Sequence, residues 1–390
     1  MPNLAEQANY EKGQSVNWMD EITRQGIISN HEVNISGGTE AVKYYLSGGY
    51  FKETGVLKGY QYNRFSLRSN LDANLTPWLK SGTNVFFTNN NYDGGQANLY
   101  MASVMSPYGD LYGSNGKYAI YPMNPETLYT NPLLGLYNPQ QNRSRNASGN
   151  TYLELSPFIR GLKYKLNLSG AFINGGTASY TGRDMGDLRG TASVVNSESV
   201  NWLVENILSY TKTIQLHNFD VTLLYSAQKE RSKSTTANAN TFINDALTYH
   251  NLSAAQNQFT ASTNSASQLV SQMARVNYNY DSRYLFTATV RHDGFSGFGD
   301  GNKYGTFPSV AVGWNLSNEA FMKSVTAVSN LKLRASYGLS GNMGVTPYRT
   351  ISQFATSAYI YDGVTAIGVA PSTMGNKDLR WESTRGLTSG

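Results

Sequence analysis

The chain has 390 residues, no cysteine, 37 glycines and 28 tyrosines, and its 31 basic and 26 acidic residues leave a formal charge of +5. That length can bury a large core or several domains, while the lack of cysteine excludes a disulfide scaffold and a thiolate metal site. No basic run is dense enough for a nucleic-acid surface, and no stretch approaches the roughly eighteen apolar residues of a membrane-spanning helix.

The opening residues show neither the basic nor the apolar region of a secretory leader, and we read the chain as an internal piece of a longer one. Alternating segments begin at 31–36 and 42–52. In 63–88, Phe65, Leu67, Leu71 and Ala73 alternate with Arg64, Arg68, Asn70 and Asp72. Past Thr76-Pro77-Trp78 the pattern resumes, with Leu79, Thr83, Val85 and Phe87 against Lys80, Gly82, Asn84 and Thr88. A period of two predicts strands with one apolar and one polar face. Further segments of this kind are 152–156, 162–172, 201–212, 219–229, 274–280, 284–293, 306–316 and 330–339. A helical turn is expected near 317–328.

The connections sort into two sets. Those at 37–41, 76–78, 157–161, 213–218 and 281–283 are tight. Those at 91–149, 174–199, 230–266 and 341–378 are long, with a shorter one at 294–304. Compact domains rarely hold structureless loops beyond about fifteen residues. Outer-membrane barrels do alternate short periplasmic turns with long extracellular loops. A lysine on the lipid face at the bilayer midplane costs about 2–4 kcal/mol, so the charged face should look into a watery lumen. Arg64, Arg68, Lys163, Lys165, Arg275, Arg291, Lys332 and Arg334 are therefore expected to face the lumen. The fold class expected is all-β: an incomplete transmembrane antiparallel β-barrel of about 12–14 strands.

Catalytic chemistry finds little support. Gly294-Phe295-Ser296-Gly297-Phe298 misses the nucleophile elbow because Phe298 stands where glycine is required, and reads as a glycine-rich loop tip. The four histidines, His31, His217, His250 and His292, have no metal-ligand spacing. We expect no enzyme activity, no metal and no cofactor. The segment 91–149 is the promising one, because its tyrosines could stack on sugar rings while Asp and Asn bond hydroxyls. Tyr108, Tyr112, Tyr118 and Tyr121, around Gly109, Gly113 and Gly116, are the candidate cargo contacts; loop packing is the competing reading.

Four stretches together resemble the SusC/RagA group of TonB-dependent outer-membrane transporters. They are NWMDEITRQGIISNHEVNISGGTEAVKYYLSGGYFKETGVLKG (17–59), ARVNYNYDSRYLFTATVRHDGFSGFGDGNKYGTFPSVAVGWNLSNEAFM (274–322), NLKLRASYGLSGN (330–342) and NKDLRWESTRGL (376–387). The resemblance implies a barrel of about 22 strands with a plug, powered by the TonB complex and covered by a SusD-like lipoprotein. It implies import of an oligosaccharide, or of a peptide, across the outer membrane. Residues 1–29 are then read as a plug-to-barrel junction remnant and 30–390 as a partial barrel, without leader, TonB box, most of the plug or the last strands. The lumenal cations would more readily meet plug carboxylates than anionic cargo. Expected partners are the lipoprotein, TonB, cargo and outer-membrane lipid, with no nucleic acid. The rival readings are a passive porin or adhesion barrel, and a secreted carbohydrate-binding sandwich.

Overall fold

In the computed structural model, which describes residues 4–322, 324 and 327–390, the period-two segments pair in chain order. The strands are β1 (Ile27–Gly38), β2 (Val42–Thr54), β3 (Gln61–Thr76), β4 (Leu79–Asn91), β5 (Gln140–Leu155) and β6 (Leu162–Thr181). They continue with β7 (Thr191–Ile214), β8 (His217–Phe242), β9 (Ala255–Tyr280), β10 (Tyr284–Phe295), β11 (Tyr304–Asn315) and β12 (Lys332–Asn342). A hairpin of β13 (Gln353–Tyr361) and β14 (Val364–Thr373) stands apart, and β15 (Glu382–Ser389) returns beside β12. The main sheet is antiparallel and 13-stranded, with β1 and β15 as its two free edges. It is all-β, as expected, and open.

Pairing is one-to-one across most of the sheet, so the face of each residue can be followed from strand to strand. One row runs Arg68, Phe86, Ser148, Ala171, Asn201. Another runs Lys163, Ser209, Thr222, Arg275, Thr289, Ser309, Gly338. Both lie on the same face. The opposite face carries Tyr164, Leu208, Leu223, Ala274, Val290 and Pro308 in one row. Leu67, Phe87, Ala147, Phe172 and Val200 form another. One face is thus polar, carrying the basic residues together with Asp72, Glu154, Glu205 and Asp220, and the other is aliphatic and aromatic; the large apolar residues of the second are exposed, Leu67, Leu71, Val312 and Leu333 among them.

That apolar face ends in a run of rings at the tight-turn end. His217, Phe219, Tyr278, Tyr280, Tyr284 and Trp314 lie side by side across β8–β11, with neighbouring centroids 4.9 to 6.3 Å apart along the run. Tyr284 Oη and Trp314 Nε1 both donate to Glu319, at 2.8 and 3.0 Å. An aromatic girdle of this kind marks where a barrel's apolar band meets the headgroups. The three-residue turn between β9 and β10 is tight because Asp281 and Ser282 both take positive φ, 47° and 55°, which lets Arg283 N–H donate back to Tyr280 O at 2.9 Å.

The structure corrects the extent of several strands. β5 starts at Gln140 rather than 152, so the first long connection is 92–139. The stretches 174–181, 191–199, 230–242 and 255–266, expected as loops, are strand. Ser, Thr, Asn, Lys and Glu occupy both of their faces, so no alternation shows, yet the backbone ladders continue register by register through them. The connections left there are only 182–190 and 243–254. The expected loop 341–378 contains the β13–β14 hairpin. Around 317–328 the chain makes short 3-10 turns at Leu316–Asn318 and Ala320–Met322; residues 323, 325 and 326 of that expected helical turn lie outside the described residues.

Candidate functional site

The 316–331 connection, between β11 and β12, leaves one end of the sheet; the 92–139, 182–190, 243–254, 296–303 and 343–381 connections leave the other, and buried side chains gather there. The opening segment lies at this end too, since β1 enters from it: Ile27 pairs with Thr54, at the end where β3 begins and the 92–139 connection leaves β4. Residues 1–3 of the segment read as a junction lie outside the described residues. The rest forms helices α1 (Leu4–Glu11) and α2 (Trp18–Ile22), and the 92–139 connection adds α3 (Leu99–Val104). Asn17 caps α2 and Asn98 caps α3, each accepting an early backbone N–H.

These helices and the connection share one core. Trp18, Ile22, Ala97, Ala102, Met105, Met123 and Leu133 are buried together, with Leu57, Leu111, Tyr118 and Tyr129 against them. The Trp18 indole N–H donates to Ser106 O at 2.7 Å, and Asn9 Nδ2 donates to Tyr108 O and Asp110 Oδ1 at 2.9 and 2.8 Å. The backbone interlocks below. Lys58 N–H donates to Ile22 O, Ala97 N–H to Lys58 O and Asn98 N–H to Pro132 O. Three glycines permit that approach: a Cβ on Gly59 would collide with Gly95 O, one on Gly95 with Gly135 O, and one on Gly135 with Gln96 O. Gly59 also has φ +88°, which favours glycine on its own account.

The predicted tyrosines are divided by this packing. Tyr112 and Tyr118 stack, with centroids 5.5 Å apart and 15° between planes, and Tyr137 tilts against Tyr118 at 5.4 Å. Tyr118 is half-buried on the core, and burial pushes its hydroxyl pKa up. Tyr112 is 57% exposed. Tyr108 is held edge-on by Tyr10 of α1 at 5.3 Å, while Tyr121 places its hydroxyl beside Gly186. Lys117 reaches from this connection to Asp184 of the 182–190 corner at 2.8 Å. Behind that corner, Tyr180, Ala192, Ala239, Phe242 and Ala255 form a second buried cluster. Burial and the Asp245 carboxylate push the Tyr180 hydroxyl pKa up to about 12. Burial pushes Asp245 up in turn, but the Arg183 backbone N–H, the Tyr180 hydroxyl and the Arg183 guanidinium outweigh it and hold the carboxyl below its ordinary range.

The eight basic candidates share one face of the sheet. Arg64 lies over Phe51 at 5.4 Å, Arg68 over Phe86 at 5.0 Å and Lys165 over Tyr152 at 4.3 Å. Lys163 approaches Glu154 at 3.9 Å, Arg275 donates to Thr289 at 3.1 Å, and Arg291 pairs with Asp293 at 2.8 Å. Lys332 and Arg334 complete the set on β12. Around Arg68, a groove of about 510 Å³ is floored by Asn70, Asn84, Ser148, Asn150 and Asn201. The glycine-rich stretch 294–304 is a turn region in which Phe298 is buried against Trp381, at 5.3 Å between centroids. No cluster of three or more metal-ligating side chains exists among the described residues.

Sequence reasoning missed one rim feature on that same face. Glu53, Tyr62, Tyr92 and Asn142 form a lateral row across β2, β3, the end of β4 and β5: Glu53 pairs with Tyr62, and Tyr92 N–H donates to Asn142 O at 2.8 Å. Tyr62 and Tyr92 stack at 4.5 Å and 15°. The signal was present in the alternation of β3, where Tyr62 shares parity with Arg64.

No family model matches the sequence. TonB-dependent receptor P3 of Formosa agariphila is 32% identical over 401 residues, which cover 98% of this chain and 40% of that protein. TonB-dependent receptor SusC of Bacteroides thetaiotaomicron is 26% identical over 410 residues, 96% of this chain and 40% of its own length. Among solved structures, the RagAB peptide transporter superposes with a TM-score of 0.83 at 24% identity, over 97% of this chain and 43% of that one. The outer-membrane ferripyoverdine receptor of Pseudomonas aeruginosa superposes with 0.53 at 14% identity, over 83% and 42%. The chain therefore spans about two-fifths of the curated relatives it matches.

Proposed function

With the chain a stretch of the barrel of a SusC/RagA-type TonB-dependent receptor of the outer membrane, we propose that the whole receptor imports a large nutrient, an oligosaccharide, on energy from the TonB complex and under a SusD-like lipoprotein. The observation that carries this reading is the division of the sheet. A predominantly polar face that carries the eight basic candidates together with Asp72, Glu154, Glu205 and Asp220 runs from β3 to β12, an aliphatic face with an aromatic girdle backs it, and the 92–139, 182–190, 243–254 and 343–381 connections leave one end. The apolar face meets lipid, the polar face lines the bore, and the long-connection end opens to the outside. Cations propped on rings rather than neutralised by carboxylates, as at Arg64, Arg68 and Lys165, are suited to meet the acidic surface of a plug.

Cargo is met first at the mouth. Tyr112 exposes its ring beyond the stack with Tyr118 and Tyr137, and is the candidate whose removal disturbs the core least. By analogy with base stacking, one ring contributes about 1–3 kcal/mol, so Tyr112→Ala should weaken cargo binding by roughly tenfold.

Uptake of a radiolabelled oligosaccharide into cells carrying the whole receptor tests the reading. Uptake should vanish when the receptor gene is deleted and when TonB is disabled. Uptake that survives loss of TonB would make the protein a passive pore, and uptake of labelled peptides alone would assign the cargo to peptides, as in the name of the RagAB transporter.

A further inference from the structure

We propose that the rim row of Glu53, Tyr62, Tyr92 and Asn142 is a second cargo subsite, on the bore side of the mouth, and that it takes neutral, hydroxyl-rich rings rather than acidic ones. The proposal deepens the oligosaccharide reading and rests on it.

The row lines a cleft of about 560 Å³ together with Tyr60, Gln61 and Gln96, within the size range of sites for small ligands. Tyr92 is 40% exposed and Tyr60 42% exposed, so each offers ring surface to an occupant. Tyr92 is built as a fixed platform. One side of its ring is covered by Tyr62, whose hydroxyl donates to Asn90 Oδ1 at 2.7 Å. Its backbone is pinned by Asn142, and the next residue, Asp93, accepts from the Asn142 N–H at 2.8 Å and from Arg143 Nε at 2.7 Å. Gln61 Nε2 donates to Asp93 O at 2.5 Å and braces the same turn. A ring held this way loses little freedom when a flat ligand lies on it.

The polar groups around the platform decide the ligand class. Glu53 is the charged residue of the lining; the other described lining residues are neutral. An ionised carboxylate only accepts hydrogen bonds, so it suits ring hydroxyls and repels a second carboxylate or a sulfate. The side-chain amides of Gln96 and Asn142 both donate and accept, and so match vicinal hydroxyls from either sense. Two guanidiniums are near: that of Arg24 is spent on the carbonyls of Gly55 and Tyr60, at 3.1 and 3.0 Å, where it holds the β2–β3 turn closed, and that of Arg64 lies over Phe51, outside the lining of the cleft.

The test is calorimetric binding of neutral hexasaccharides (malto-, cello- and laminarihexaose) and of hexagalacturonate to the whole receptor in detergent, with assembly followed by heat-modifiable migration. At least one neutral hexasaccharide should bind more tightly than hexagalacturonate. Tyr92→Ala should weaken that sugar about tenfold, while Tyr92→Phe, which keeps the ring, should stay within about twofold. Glu53→Gln should narrow the preference against hexagalacturonate, and this decides the matter if the alanine variant does not assemble. An acidic sugar bound as tightly as the neutral ones, or an unchanged affinity in assembled Tyr92→Ala, overturns the subsite alone. A wild-type receptor that binds none of these sugars overturns it together with the oligosaccharide reading.

Discussion

Leu71→Lys should destabilise the assembled receptor far more than Asn70→Lys, one residue away. Leu71 faces outward on β3, paired with Tyr44 and Thr83, and is exposed on that face. Along the strand it stands between the outward residues Leu75 and Phe65. At about 3.3 Å per residue and a tilt near 40°, it lies about 10 Å from the first and 15 Å from the second. That places it close to the middle of an apolar band about 25 Å tall, where a lysine costs about 2–4 kcal/mol. Asn70 looks the other way, between Tyr45 and Asn84, and a lysine there should cost at most about 0.5 kcal/mol. Urea unfolding of both variants of the whole receptor in lipid vesicles, read by heat-modifiable migration, measures the difference. Equal costs, or a larger cost at Asn70, would refute the assignment of the two faces.

Three further outcomes are expected. Trp18→Ala should cost about 3–5 kcal/mol of local stability by emptying the shared core, seen as faster proteolysis within 92–139 while the barrel still assembles. Gly95→Ala drives a methyl onto the Gly135 carbonyl and should cost about 1–3 kcal/mol, read as faster hydrogen exchange at the Ala97 and Asn98 amides. The Asp245 carboxyl is held below its ordinary range when folded, so its contribution is full above the unfolded value and is lost as pH falls through the folded one. Proteolysis at 243–254 should therefore accelerate on acidification through the carboxylate range, and Asp245→Asn should remove that dependence.

What the sequence made legible follows from where burial is one-sided. Along 42–52 and 63–88 one face is mostly aliphatic and the other mostly polar, so a period of two shows in the sequence, with Phe51 and Phe86 on the polar face as its interruptions. Toward the long-connection end the strands become largely polar on both faces. The outer halves of β7, β8 and β9 carry Ser, Thr, Asn and Lys without alternation and passed for loop, although their backbone pairing is continuous. The mouth was read only in outline. Its tyrosines were visible, but that Tyr118 is half-buried on a core containing Trp18 of α2 depends on contacts across some hundred residues, which no local pattern encodes. Tyr62 was hidden for a different reason: an aromatic residue on the polar face of a strand looks like an interruption of the pattern until its neighbour Tyr92 is placed beside it.

Sidedness is tested most directly by a thiol pair, since the chain has no cysteine of its own. Leu128, exposed in the 92–139 connection, and Phe158, wholly exposed in the tight turn between β5 and β6, stand at opposite ends of the sheet. Single cysteines at each, in the whole receptor with any cysteines outside this stretch replaced, are treated on intact cells with a membrane-impermeant maleimide. Leu128→Cys should label at once and Phe158→Cys only after the outer membrane is permeabilised; labelling in the reverse order, or of both alike on intact cells, would contradict a barrel whose long connections form the outer mouth.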